Sequence, residues 1–217
     1  MPELDLMRSL PKSRRNIGAR NQARTAESVR LSRCFAFDYF DGSRETGYGG
    51  YRYDGRWVPV ARDIIEHFSL GPGSRVLDVG CAKGFLVKDL LSVCPGIDAI
   101  GVDISAYAIA HCEPEVAGRL IRADCERLPF ADDSFDAVIA KDVIHNQDRP
   151  GCLRALREIQ RVSGGRAFVQ VDAYRSDEEK QAFLDWVLTA RHHDYPEGWV
   201  ELFAEAGYTG DYFWTIT

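Results

Sequence analysis

The chain lacks the features of secreted, zinc-binding and membrane proteins. Its six cysteines include no Cys-x-x-Cys pair, so the sequence indicates reduced, buried thiols rather than disulfides or a zinc site. No apolar run approaches the roughly 18 residues that a membrane span needs. The first residues also lack the apolar core of a signal peptide. We therefore expect a cytoplasmic protein with no membrane partner.

The overall charge is not that of a nucleic-acid-binding protein. At −6 over 217 residues, the chain has no general attraction for phosphate backbones, and nucleic acid is not an expected partner. Between Arg8 and Arg33, however, basic residues predominate, with Glu27 as the single acid. The basic residues of this arm are Arg8, Lys12, Arg14, Arg15, Arg20, Arg24, Arg30 and Arg33. We expect a solvated, partly mobile arm, and the alternative is an arm that binds phosphate or a partner.

What the sequence does contain is an apolar run that breaks into a glycine-rich turn and resumes with helical spacing. Residues 75–80 form a predicted buried strand, residues 80–84 the turn and residues 84–93 a helix. A unit of this kind directs backbone N–H groups at a ligand and lets its polar part approach closely. One acid, Asp78, precedes the turn, and a second, Asp103, ends the next predicted strand.

Strands and helices alternate after this turn, as they do in βαβ units. Further strands are predicted at 98–103, 119–123, 135–141, 166–172 and 211–216. Helices are predicted at 25–31, 58–68, 150–162, 177–190 and 196–206, with another that begins at Ser105. The sequence therefore predicts an α/β fold, a mostly parallel sheet with right-handed crossovers and helices on both faces. Residues 1–20 are expected to be a flexible start.

The order of acids and turns resembles the class I S-adenosylmethionine-dependent methyltransferases. Asp78-Val79-Gly80, Asp103, the stretch 123–130 (ADCERLPF) and the stretch 134–138 (SFDAV) follow one another as in that family. The resemblance covers about residues 46–172 and implies a Rossmann-like fold, S-adenosyl-L-methionine as cofactor and methyltransferase activity. The family usually closes its sheet with an antiparallel pair. Only one strand is evident near residue 211, so an edge strand is expected to be missing or displaced.

We divide the chain accordingly. Residues 1–45 form an N-terminal basic arm and cap helix, and residues 46–172 form the Rossmann-like, cofactor-binding core. Residues 173–217 add helices and an edge strand that complete the same domain. A monomer or a homodimer is expected.

The resemblance also assigns residues to the cofactor. It implies that the turn at Gly80 and Gly84 wraps the methionine end, while Asp78 holds the ammonium and Asp103 accepts bonds from the ribose hydroxyls. The acid near the adenine is Asp124, with Glu126 as the alternative. Further predicted cofactor contacts are Cys81, Ala82, Ile104, Cys125 and Lys141. Ala82 stands where the family usually has glycine, which requires that its φ stay negative.

The acceptor is expected beyond the carboxyl ends of the strands, at residues 141–146. His145 is the candidate general base because the ordinary pKa of histidine lies near neutrality. The alternative is a histidine that forms hydrogen bonds without moving a proton. Other predicted acceptor contacts are Tyr48, Tyr51, Arg52, Tyr53, Asp142, Asn146 and His193. No metal is expected, because Asp142, His145 and Asn146 lack further ligands at suitable spacing.

Four functions remain open from the sequence. The leading one is methyl transfer to O or N of a small polar acceptor such as a sugar, a sugar nucleotide or a specialised metabolite. Residues 47–57 and 207–212 favour it, since they resemble a bacterial subfamily from surface-glycan and specialised-metabolite loci. The second is a nucleic-acid or protein methyltransferase that docks through the basic arm. The third is a non-catalytic, cofactor-binding subunit, and the fourth is an NAD-dependent oxidoreductase.

Overall fold

A six-stranded parallel sheet organises the molecule in the computed structural model, which describes residues 1–11 and 15–216. The strand order is β3-β2-β1-β4-β5-β6, and every neighbouring pair is parallel. The strands are β1 (Arg75–Val79), β2 (Asp98–Asp103), β3 (Leu120–Arg122), β4 (Ala137–Lys141), β5 (Ala167–Ala173) and β6 (Asp211–Ile216). The predicted Rossmann-like α/β fold is confirmed. Lys12 and Arg14 of the predicted basic arm lie outside the described residues.

Helices precede the sheet and connect its strands. Those before β1 are α1 (Ile17–Ala23), α2 (Ala26–Arg33), α3 (Phe37–Phe40) and α4 (Val58–His67). Those after β1 are α5 (Phe85–Val93), α6 (Ala106–Ala110), α7 (Arg149–Ser163), α8 (Asp177–Trp186) and α9 (Pro196–Ala206). Ser105 caps α6 as predicted, since its side chain accepts a bond from the backbone N–H of Ala108.

Both faces of the sheet are covered, because successive strand residues point to opposite sides. On one face, Leu77 and Val79 pack with α7 and α9. On the other, Val76 packs with α4 and α5. Two apolar layers therefore fix the carboxyl ends of the central strands in place. Within the described part of the chain, no helix is both long and apolar enough to cross a bilayer.

The open edge of the sheet is partly closed by the N-terminal residues. Tyr212 of β6 accepts a hydrogen bond from the N–H of Leu4 at 2.9 Å, and its own N–H donates to the carbonyl of Pro2 at 3.2 Å. Leu6 and Met7, only 2% and 5% exposed, continue into the core. The prediction of a flexible start is wrong for these residues, because an exposed edge and an apolar face hold them.

The cysteines are all free thiols, as predicted. Cys81, Cys125 and Cys152 are buried, whereas Cys34 is exposed at the end of α2. The prediction that all six are buried is therefore wrong at Cys34, where the chain leaves the helix on the surface, and at Cys94 and Cys112, which are only half-buried.

Candidate active site

A cavity opens at the carboxyl ends of β1, β2 and β4, where polar residues that follow different strands meet. Most of the residues predicted to contact the cofactor or the acceptor line this cavity. Those that line it are Tyr48, Tyr51, Asp78, Gly80, Cys81, Ala82, Asp103, Ile104, Asp124, Cys125, Lys141, Asp142 and Asn146. Residues up to 68 positions apart, from Asp78 to Asn146, share this site because parallel strands place their carboxyl ends at one edge, and Tyr48 and Tyr51 reach it from the segment before β1.

Asp78 supplies a buried carboxylate at the end of β1. The residue is 7% exposed, and no described residue donates a hydrogen bond to its side chain. Burial, with a further contribution from the nearby charge of Asp103, raises the pKa of Asp78 to about 7. A buried acid without a donor suits a cationic ligand, which would restore its ionised form.

The glycine-rich turn places backbone against both the cavity and the sheet. Gly80 has φ +77°, and a Cβ there would lie 2.6 Å from Cγ2 of Val143, so a side chain is excluded. At Gly84, a Cβ would lie 2.9 Å from Leu120. Gly84 is not among the cavity-lining residues, so its small size serves packing between α5 and the sheet.

Ala82 lies in the left-handed region, with φ +50°, and the predicted negative φ is wrong. The reason is a contact across the site: Oδ2 of Asp103 accepts a hydrogen bond from the backbone N–H of Ala82 at 2.7 Å. This bond stabilises a turn conformation that glycine would adopt without strain.

Asp103 connects the turn to α6. Its Oδ1 accepts a bond from the N–H of Ser105 at 2.8 Å, while Oδ2 holds Ala82. Burial raises the pKa of Asp103, although these two N–H groups oppose the shift. Each carboxylate oxygen keeps a lone pair for a further donor, which is what a pair of hydroxyls requires.

Of the two acids predicted near an adenine, only Asp124 lines the cavity. Glu126, the alternative, forms an ion pair with Arg154 at 2.6 Å instead. Oδ1 of Asp124 accepts a bond from the N–H of Glu126 at 3.0 Å, which fixes the turn after β3.

An aromatic cap, residues 35–57, covers the cavity from the N-terminal side. Its lining residues are Phe35, Tyr39, Phe40, Tyr48, Tyr51 and Trp57. The ring of Tyr51 stacks on Phe85 at the start of α5, with centroids 4.6 Å apart. Sequence reasoning assigned no role to Phe35, Tyr39 and Phe40. The signal available was the aromatic run FAFDYF at 35–40.

Asp41 ties the aromatic cap to the glycine-rich turn. Its carboxylate accepts hydrogen bonds from Nζ of Lys83 at 2.9 and 2.7 Å and from the hydroxyl of Tyr107 at 2.8 Å. It also accepts the N–H of Tyr51 at 3.1 Å. Lys83 is 8% exposed and donates to the carbonyl of Tyr51 as well. No sequence spacing links these residues, and sequence reasoning missed them.

Three predicted acceptor contacts lie outside the cavity lining. The hydroxyl of Tyr53 donates to Asp89 of α5 at 2.5 Å, which turns the ring away from the cavity. Arg52 is exposed. Nδ1 of His193 lies 3.1 Å from the hydroxyl of Tyr174, and its ring packs on Phe183. Contacts with residues distant in sequence hold Tyr53 and His193 outside the cavity lining, and Arg52 points to solvent.

His145 is buried, at 3% exposure, and does not line the cavity. Its Nδ1 accepts a hydrogen bond from the backbone N–H of Asp172 at 3.0 Å. The neutral ring therefore carries its proton on Nε2, which lies 3.4 Å from Oδ2 of Asp172. With its lone pair occupied, His145 has the geometry of the alternative role, a histidine that forms hydrogen bonds without moving a proton. The role of general base stays a prediction.

Asp142, His145 and Asp172 bring their ligand atoms within 4.8 Å of one another. These three side chains do not fit a metal ion, because Nε2 of His145 carries a proton and Asp142 already pairs with Lys141. Burial would raise the pKa of Asp142, but the adjacent ammonium group of Lys141 holds it below its ordinary value. Asp142 also has φ +55° and accepts a bond from Thr215 at 2.9 Å, so it is held firmly at the cavity.

Comparisons with known proteins agree with this architecture. A family model described as a methyltransferase domain matches residues 77–169. The chain is 31% identical over 105 residues to malonyl-[acyl-carrier protein] O-methyltransferase of Legionella pneumophila, covering 46% of this chain and 37% of the relative. It is 26% identical to phosphoethanolamine N-methyltransferase 1 of Arabidopsis thaliana, covering 70% of this chain and 32% of the relative. The fold is similar to that of the [4+2]-cyclase SpnF, with TM-score 0.56, 22% identity and coverage of 77% and 62%.

The chain spans less than half the length of the curated relatives it matches, between 20% and 45%. The matched region contains the carboxyl end of β1, the glycine-rich turn, Asp103 and the end of β4, which form the strand side of the cavity. Residues 77–169 thus match a methyltransferase domain in sequence, and the fold around them agrees with the class I S-adenosylmethionine-dependent methyltransferases that the chain resembles.

Proposed function

We propose that this protein transfers the methyl group of S-adenosyl-L-methionine to O or N of a small polar acceptor. The observation that carries the proposal is the buried carboxylate of Asp78, which faces a cavity and has no donor among the described residues. A ligand with an ammonium group fits it, and the family uses such a cofactor.

The remaining cavity residues fit the other parts of that cofactor. Gly80 leaves room for its close approach, and Asp103 keeps lone pairs for the ribose hydroxyls. Asp124, Cys125 and Ile104 lie where the adenine is expected. When bound, S-adenosyl-L-methionine supplies an electrophilic methyl group.

The protein's own contribution is alignment and exclusion of water. The rate of an in-line displacement rises most when the protein holds the two reactants close together and correctly oriented. Tyr39, Tyr48 and Trp57 of the aromatic cap cover the cavity with apolar surface, which keeps competing water away. Asp142 and Asn146 provide oxygen atoms that can accept hydrogen bonds at the carboxyl end of β4. The buried Oδ1 of Asn146 has no partner among the described residues, so it is available to a substrate N–H or O–H.

A small acceptor is supported by the enclosure of the cavity and by the relatives. The relatives include an O-methyltransferase, a phosphoethanolamine N-methyltransferase and sterol C-methyltransferases, so they do not fix the atom that is methylated. A sugar, a sugar nucleotide or a specialised metabolite remains our proposal for the acceptor, and a monomer or a homodimer for the assembly. The fold alone does not determine the reaction, as the cyclase neighbour illustrates.

Calorimetry with S-adenosyl-L-methionine, S-adenosylhomocysteine and NAD tests the cofactor. We expect the first two to bind and NAD not to bind. Asp103→Ala should weaken binding by about 1–3 kcal/mol through lost charge-assisted hydrogen bonds. Asp98→Ala is the matched control, since Asp98 begins the same strand and pairs with Arg119 at 3.1 Å, away from the cavity. Equal losses in both variants would refute the ribose assignment.

A screen of candidate metabolites for S-adenosylhomocysteine formation tests turnover. An acceptor-dependent signal supports the enzyme over a non-catalytic cofactor-binding subunit. RNA or protein methylation that disappears when the basic arm is removed would instead support the macromolecular alternative.

A further inference from the structure

A chain of hydrogen bonds joins the last two strands to the Asp142 side of the cavity. Nε2 of Gln170, on β5, donates to Oγ1 of Thr215, on β6, at 2.7 Å. Because Oγ1 accepts this bond, its own proton is directed to Oδ1 of Asp142, 2.9 Å away. Gln170 is only 7% exposed, and neither it nor Thr215 lines the cavity. The pair therefore supports Asp142 from inside the protein.

The carboxylate of Asp142 is held at both of its oxygens. Oδ1 accepts the bond from Thr215, and Oδ2 pairs with Nζ of Lys141. The backbone N–H of Asp142 donates to the carbonyl of Gln170 at 2.9 Å, at a φ of +55° that few residues other than glycine adopt. Each oxygen can still accept a second donor. Asp142, which lines the cavity, is thus oriented by the protein before a ligand enters.

The cavity around Asp142 provides hydrogen-bond acceptors and no free cation. Nδ2 of Asn146 donates to the carbonyl of Asp142 at 3.3 Å, and the buried Oδ1 of Asn146 has no partner among the described residues. Among the described residues that line the cavity, Lys141 is the single cation, and it already pairs with Asp142. A group with an N–H or O–H would therefore find oxygens here, whereas an anionic group would find no unpaired cation.

We propose that Thr215 is a positioning residue for Asp142, and that Asp142 binds a hydrogen-bond-donor group, an amine or a hydroxyl, of the acceptor. A carboxylate that is already fixed loses little freedom when it binds, so its bond to the acceptor is stronger and better directed. The edge strand β6 would then contribute to the site without lining it. The inference rests on the proposed function, since it places the acceptor in the same cavity.

Three small probes of similar size test the donor preference. Methylammonium and methanol carry hydrogen-bond donors, whereas acetonitrile carries none. Each is titrated into the full chain at constant ionic strength, with S-adenosylhomocysteine at saturation to fill the cofactor part of the cavity, and followed by NMR relaxation of the probe's methyl group. We expect saturable binding of a donor probe, tighter than that of acetonitrile. Tighter methylammonium assigns an amine acceptor, and tighter methanol a hydroxyl.

Variants of the two residues test the positioning. Asp142→Asn should weaken binding of the tighter donor probe about tenfold, since the bond loses its charge. Thr215→Val, which keeps the shape but lacks the hydroxyl, should weaken it severalfold, and Thr215→Ser should restore it. Thr209→Val is the matched control, because the exposed Thr209 precedes the same strand and its hydroxyl contacts Gln160 at 3.2 Å. It should bind the probe like the parent.

The affinity for S-adenosylhomocysteine and the melting temperature of each variant separate lost acceptor recognition from lost folding. Acetonitrile that binds as tightly as the better donor probe would overturn the proposal, as would the absence of saturable binding by either donor probe. Parental affinity in Thr215→Val would overturn the role of Thr215, and parental affinity in Asp142→Asn that of Asp142. Failure of S-adenosylhomocysteine to bind the parent would instead refute the proposed function, a distinct result.

Discussion

A single carboxyl group, that of Asp78, makes the affinity for a cationic ligand depend on pH. Its pKa of about 7 means that the side chain is mostly protonated below neutrality in the ligand-free protein. The folded protein then holds a proton that the unfolded chain releases near pH 3.8, so its stability falls as pH rises between these values. An ammonium ligand requires the ionised form.

We therefore expect affinity for S-adenosyl-L-methionine to be about tenfold weaker at pH 6 than at pH 8, as linkage requires for one group. Calorimetry across this range measures it. Asp78→Asn should bind more weakly and lose the pH dependence. Constant parental affinity from pH 6 to 8 would contradict the assignment of Asp78 to the ammonium.

Ala82 carries backbone strain that a smaller residue would relieve. Because its φ is +50°, Ala82→Gly should raise the free energy of unfolding by about 0.5–1 kcal/mol, the strain relief outweighing the added freedom of the unfolded chain. Urea unfolding measures the change. Ala204→Gly, at an exposed position in α9, is the control and should lose about 1 kcal/mol. A loss at both positions would show that the turn does not strain Ala82.

Whether the position of a side chain could be predicted depends on whether a pattern in the nearby sequence determines it. Asp78 and Asp103 could be predicted because each follows an apolar strand, and strand ends converge. The orientation of Tyr53 toward Asp89 could not be predicted, because the sequence is equally compatible with a ring that faces the cavity and one that faces α5. The φ of Ala82 depends on a bond from Asp103 that no spacing within the turn indicates.

At the scale of elements, the aromatic cap depends on one carboxylate. Asp41→Asn would leave the buried ammonium of Lys83 without its anion and weaken the bond from Tyr107. We expect a loss of about 1–3 kcal/mol in the free energy of unfolding. Hydrogen exchange should also rise in residues 35–57 more than in the strands, with weaker cofactor binding.

Asp38→Asn, on the short helix α3 that ends just before Asp41, is the control, because no described residue bonds to its carboxylate. It should leave both measurements near the parental values. If hydrogen exchange in residues 35–57 is no faster in the Asp41→Asn variant than in the Asp38→Asn variant, the bonds between the aromatic cap and the glycine-rich turn contribute little stability. A double variant with Lys83→Met should recover part of the lost stability, since it removes the unpaired charge.

Elements with strong periodicity were predictable, and those held by distant contacts were not. The helix at 196–206 and the strands at 98–103 and 211–216 agree with the structure to the residue, because apolar spacing and proline or glycine mark their ends. The predicted helix at 177–190 ends earlier, at Trp186. Residues 2–7 are too few to show an apolar periodicity, and their conformation is determined by the hydrogen bonds that residues 2 and 4 form with β6.

At the scale of the whole molecule, the sheet relies on the N-terminal residues to cover its edge. Leu6 is almost wholly buried against the α4–α5 side. Leu6→Ala should therefore cost about 2–5 kcal/mol in the free energy of unfolding, measured in urea. Ile121→Ala, 38% exposed on β3, should cost much less. Similar costs would mean that the N-terminal residues add little to the fold.

The pairing of Leu4 with Tyr212 also sets an order of events in time. A contact between positions so distant in sequence closes only after the intervening chain has condensed, because a long loop must first lose its freedom. We therefore expect residues 2–7 to dock after the folding barrier has been crossed. The change at Leu6 is accordingly expected to quicken unfolding while leaving the refolding rate nearly constant.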